Sequence, residues 1–140
     1  MMKTTALKKL LLASLAVLSV ALPLSAARAG QRVPSPVSIT VYSWGTYVSG
    51  NPGDARASAD AYQSINCAVN TYSDGYQQGF CQATNKNNLT VSCYVNRPEM
   101  IQTIYGIGPS SYIAFNFTQG SSVCANITIE NGSRFKPVTP

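Results

Sequence analysis

The 140-residue chain carries ten basic side chains against five acidic ones, has no histidine, and has a formal net charge of +5. Four of the bases (Lys3, Lys8, Lys9 and Arg28) lie within residues 1–29, so residues 30–140 carry six bases against five acids. Those six (Arg32, Arg56, Lys86, Arg97, Arg134, Lys136) are scattered singly, which excludes the basic stripe that nucleic acid or an anionic membrane requires.

The start reads as a targeting segment. A basic Met1–Lys9 precedes an apolar run, Leu10–Leu22, that is too short to span a bilayer comfortably, and Ala27-Arg28-Ala29 is a small-x-small cleavage site. A signal peptide over residues 1–29, cleaved after Ala29, predicts a secreted or periplasmic protein of bacterial style with no membrane span after cleavage. Residues 30–36 read as a flexible, proline-bearing lead-in, and 37–136 as one β-rich domain.

Alternation then marks the strands in turn. Val37–Trp44 places Val37, Ile39 and Val41 on one parity. Ser49–Asp54 is a loop by composition, and Ala55–Asp60 is ambiguous between helix and loop. Ala61–Val69 aligns Ile65, Cys67 and Val69. After Ser73-Asp74-Gly75, Gly79–Thr84 aligns Cys81 and Ala83. After Asn85–Asn88, Leu89–Val95 alternates cleanly through Cys93. These read as a three-stranded meander. Asn96–Tyr105 reads as a helix capped by Asn96, with Pro98 in its first turn, an apolar face of Met100, Ile101 and Ile104, and Gly106 as its stop. Tyr112–Phe117 and Val123–Glu130 close the set. Cys124 has the opposite parity to Ile127 and Ile129, which leaves a bulge, a late strand start or an outer-face disulfide open. The expected fold is mainly β (or α+β): a small antiparallel sheet or sandwich of about six strands, one short helix after the fourth, and two disulfides.

The cysteines decide the chemistry. Cys67, Cys81, Cys93 and Cys124 are separated by 14, 12 and 31 residues. Without a close cysteine pair or a histidine, neither a zinc site nor an activated thiol nucleophile is expected, and no cofactor is implied. Disulfides fit an exported chain with an even count. In a meander the first and third strands stand about 9–10 Å apart, too far for a bond, so Cys67–Cys93 is disfavoured. Two pairings survive: Cys67–Cys81 with Cys93–Cys124, or Cys81–Cys93 with Cys67–Cys124. We favour the first, because the longer turn between Cys67 and Cys81 leaves room for stagger.

In Tyr112-Ile-Ala-Phe115, and in Cys124 through the Asn131-Gly-Ser turn to Phe135-Lys-Pro137, the chain resembles small exported bacterial proteins of no assigned function. That resemblance implies no catalytic residues. Five carboxylates without a histidine give a poor acid–base set, although Asp60 and Glu99 are candidates for a weak carboxylate hydrolase. The surplus lies in the aromatics and amides. Trp44, Tyr47, Tyr62, Tyr72, Tyr76 and Tyr94, with Tyr42 beside them, fall on loops or on the parity away from the core. Tyrosine with Asn and Gln suits an uncharged hydrogen-bonding partner, a glycan or a protein surface. The leading expectation is a non-enzymatic binding module. The alternative is an inhibitor or protective protein acting on an envelope or extracellular hydrolase, presenting loops Ser49–Asp54 and Tyr72–Gln78.

Overall fold

The computed structural model describes residues 32–135; the expected signal segment, residues 30–31 and residues 136–140 lie outside that range. The architecture is mainly β, with seven strands in two antiparallel sheets among the described residues. One sheet has the order β1 (Ser38–Tyr42), β2 (Gly45–Gly50), β6 (Ser111–Thr118), β7 (Asn126–Asn131). The other runs β3 (Ser64–Thr71), β4 (Gln77–Thr84), β5 (Thr90–Val95). Among the described residues there are also two helices, α1 (Pro52–Arg56) and α2 (Pro98–Tyr105), and a closing 3-10 turn (Ser133–Phe135).

Period-two patterning accounts for the layering. Val48, Ile113, Phe115 and Ile127 point inward from the four-stranded sheet, and Ile65, Cys81, Ala83, Cys93 and Val95 from the three-stranded one; all join a single buried cluster. Ile101 and Ile104 of α2 enter the same core. Helix and sheet meet closely at Gly79, where a Cβ would lie 2.9 Å from both Ile104 Cδ1 and Val95 Cβ. Gly79→Ala is therefore expected to lower stability by about 1–3 kcal/mol through overpacking, read as a fall in the urea midpoint at unchanged slope.

The meander and both favoured disulfides are present: Cys67–Cys81 and Cys93–Cys124, with Cα atoms 4.0 and 5.1 Å apart. The stagger expected between Cys67 and Cys81 is not there, since the two lie directly opposite in register. Cys124 is explained by a late strand start. Ser122–Cys124 runs beside β5 in parallel: the Tyr94 N–H donates to Ser122 O (2.8 Å), and the Cys124 N–H to Tyr94 O (2.9 Å). The chain joins the other sheet directly afterwards, the Ala125 N–H donating to Asn116 O (2.7 Å) before β7 begins at Asn126, so Cys93–Cys124 fastens the crossing between layers.

Four local expectations differ. There are seven strands, because the glycine-bounded segment Gly45–Gly50 is β2, at the centre of its sheet between β1 and β6. A Cβ at position 45 would lie 2.2 Å from Phe117 O, so the residue that weakens strand propensity is the one that permits this pairing. The extra strand also puts α2 after the fifth strand. Ser49–Asp54 is not a loop: Ser49 and Gly50 end β2, and Asn51 caps α1 by accepting the Asp54 N–H (3.0 Å), with Pro52 in the first turn. For α2 the cap position falls to Arg97 rather than Asn96, with no side-chain bond. Val41, expected inward, is 69 % exposed at the turn end of the edge hairpin. The lead-in is tied down where it is described: the Val33 N–H donates to Arg134 O (3.0 Å), and Ser35 is buried, its N–H bonded to Asp54 Oδ2 (2.6 Å).

Candidate functional site

Each sheet buries one face, so the sequence's polar parity is displayed on the other. On the three-stranded sheet that outer face is built in rows, because in-register neighbours side by side across β3, β4 and β5 share a face. Beginning at the β3–β4 hairpin, the rows are Tyr72 with Tyr76, then Asn70 with Gln78, then Ala68, Phe80 and Tyr94, then Asn66, Gln82 and Ser92, and last Ser64, Thr84 and Thr90. Aromatic rows alternate with amide rows, consecutive rows lying about 7 Å apart at two residues of strand rise. No charged side chain stands among them.

The hairpin tip is rigid for local reasons. Gly75 takes φ +84°, the left-handed conformation glycine tolerates, and the Asp74 carboxylate accepts the Tyr76 N–H (2.9 Å). The Tyr72 N–H donates to Tyr76 O (2.8 Å), which brings the two rings together with centroids 5.8 Å apart and planes 29° from parallel. Gln77 Nε2 reaches the Tyr105 hydroxyl (2.9 Å) and braces the strand to α2.

A hollow of about 330 Å³ opens on this face, lined by Asn70, Phe80, Gln82, Ser92, Cys93 and Tyr94. Tyr94 is half exposed at its rim. Among the described residues, the side chains of Asn66, Asn70, Gln78, Gln82 and Ser92 make no hydrogen bond to the protein, whereas Asn51, Gln63, Gln77, Asn85 and Asn131 all do. A face of amides left uncommitted beside exposed rings can stack an apolar ligand surface and hydrogen-bond its edge.

Of the six aromatics expected to bind, Tyr72, Tyr76 and Tyr94 meet on this face. Tyr47 lies on β2 of the four-stranded sheet, on the other side of the core, with Trp44 in the β1–β2 turn beside it, and Tyr62 lies in the loop before β3, outside both sheets. Phe80 and the four amides were not singled out by sequence. The signal for them was Gln78-Gly-Phe80-Cys-Gln82, whose polar parity opposes Cys81.

The carboxylates are occupied locally. Asp60 accepts from the Tyr62 and Gln63 N–H groups (3.0 and 2.9 Å) and from Gln63 Nε2 (2.6 Å); the Gln63 side-chain bond is the main reason its carboxyl titrates below the usual aspartate value. Asp54 pairs with Arg32, Glu130 with Arg134, and Asp74 holds its own turn. Glu99 stands in the first turn of α2, where the helix dipole favours a carboxylate.

No protein-family model matches the chain, and no curated protein or solved structure matches it either. What fold and face define together is a class: a small two-disulfide β-sandwich displaying a neutral aromatic–amide surface.

Proposed function

We propose that this protein is a non-enzymatic binding module, acting in the periplasm or outside the cell, that holds a neutral polysaccharide on the outer face of β3–β5. The observation that carries this reading is the alternation of exposed rings with uncommitted amides on a face free of charge. Pyranose rings with equatorial substituents offer flat C–H faces to tyrosine and phenylalanine, and hydroxyl edges to asparagine and glutamine. A charged partner would call for counter-charges, and single-stranded nucleic acid for a cationic groove; this face has neither. With Ser49–Asp54 folded into β2 and α1, the inhibitor alternative keeps only the Tyr72–Gln78 hairpin as a presenting loop.

The test is native affinity electrophoresis of the mature protein in gels containing hydroxyethyl cellulose or glycol chitin. Retardation by at least one polymer is expected, and Tyr94→Ala should lower the affinity of this face about tenfold, since losing part of an aromatic contact that the ligand covers costs about 1–1.5 kcal/mol. Free migration in both gels contradicts the reading.

Binding is also expected to be flat from about pH 5 to 9, because the rows of this face hold no carboxylate, amine or imidazole, and insensitive to added salt, because no ion pair is screened. A steep loss of retardation with salt would point to a charged ligand instead.

A further inference from the structure

The opposite side of the sandwich carries a second surface of related chemistry. Thr40, Tyr47, Asn116 and Asn126 form one straight row across all four strands, and Tyr42, Gly45 and Thr118 form the next. At the end of this face Trp44 stacks on Tyr42, with centroids 5.1 Å apart and planes 8° from parallel, and both rings are about half exposed. The pair makes an offset stack of nearly parallel rings, with the outer ring face open to solvent. Among the described residues the Asn116 and Asn126 side chains make no hydrogen bond to the protein. The charged residue on this face is Glu130, in register with Tyr112, and Arg134 pairs with it. Burial, with the Tyr112 side chain beside it, holds the Tyr47 phenol above the usual tyrosine value, so it stays a neutral hydrogen-bonding group through any ordinary pH.

We propose that Tyr42, Trp44, Tyr47, Asn116 and Asn126 form a second, independent site for neutral polysaccharide, so that one protein molecule bridges two glycan strands. This rests on the reading given under Proposed function and extends it. The ligand class follows from the same features as on the other face: exposed ring faces, free amides and no net charge, Glu130 being paired with Arg134. The two surfaces lie back to back across a common core, so they cannot grip neighbouring sugars of one segment. Geometry that forbids simultaneous engagement within a segment turns two sites into a cross-link between strands.

Trp44 is the single tryptophan of the chain, and its fluorescence reports this site alone. The mature protein is titrated with hydroxyethyl cellulose and with glycol chitin, as wild type and as Phe80→Ala/Tyr94→Ala, while light scattering follows network formation. We expect the Trp44 emission to shift to shorter wavelength in both proteins, and scattering to rise in the wild type only. A Tyr42→Ala/Trp44→Ala variant should keep gel retardation, lose scattering and melt within a few degrees of the wild type, because both rings are exposed. If Trp44 emission stays fixed while the gels still retard the wild type, the second site is refuted and the first reading stands. A shift that disappears in Phe80→Ala/Tyr94→Ala refutes independence of the sites. With neither shift nor retardation in either polymer, both readings fail.

Discussion

Replacing Cys93 and Cys124 together by alanine is expected to lower the melting temperature by roughly 15–30 °C. The bridge closes a 31-residue loop that contains α2 and all of β6. In the chain-entropy view, closing a loop of that length stabilises by about 3–4 kcal/mol. A degree-to-energy conversion of about 4–8 °C per kcal/mol for a domain of this size gives the shift. The position adds to the effect, because both cysteines are buried and the bond fixes the point where the chain leaves the three-stranded sheet for the four-stranded one. Removing Cys67 and Cys81 opens a 14-residue loop within one hairpin whose ladder is otherwise intact, and the expected loss is smaller. Thermal unfolding followed by far-ultraviolet circular dichroism separates the two. Equal losses would mean that loop length does not govern the contribution of these bonds.

The second large effect belongs to Asn51, which is fully buried at the end of β2. Its Nδ2 donates to the carbonyls of Ser111 (2.7 Å) and Phe135 (3.0 Å), its Oδ1 accepts the Asp54 N–H, and its own N–H donates to Ser35 O (2.9 Å). One residue thus joins the lead-in, α1, β6 and the closing turn. Asn51→Ala strands two carbonyls at about 1–3 kcal/mol each and removes a helix cap worth about 1 kcal/mol. Against a total margin on the order of 5–15 kcal/mol, the variant should melt far below the wild type or fail to fold at 37 °C. Asn51→Asp should be no better, since it replaces both donors by a carboxylate facing carbonyl oxygens. Wild-type stability in either variant would contradict the assigned role.

Much of this frame is legible locally. Alternation in Ile65-Asn-Cys67-Ala-Val69 and Val91-Ser-Cys93-Tyr-Val95 encodes both the buried face and its polar opposite, and strand spacing removes one cysteine pairing. What local pattern cannot carry is pairing at a distance. β2 is short, is bounded by Gly45 and Gly50, and is fixed by β6, some seventy residues away, so the strand propensity of Thr46-Tyr47-Val48 is too brief a run to declare a strand without its partner. Asn51-Pro52-Gly53-Asp54 has the composition of a turn, and only the buried partners of Asn51 make it a cap. The same limit governs the binding residues. Their parity is readable, but parity does not say which sheet a strand joins, and Trp44 and Tyr47 go to one layer while Tyr72, Tyr76 and Tyr94 go to the other.

The central claim, that the outer face of β3–β5 receives a neutral glycan, is tested most directly by the side-chain amide resonances of nitrogen-labelled mature protein titrated with soluble cello- and chito-oligosaccharides. The NH₂ signals of Asn66, Asn70, Gln78 and Gln82 should move together and saturate with at least one of the two sugars, while those of Asn51 and Asn131, already donating within the protein, stay in place. Unmoved signals from the four face amides with both sugars, or shifts confined to amides elsewhere, would contradict it.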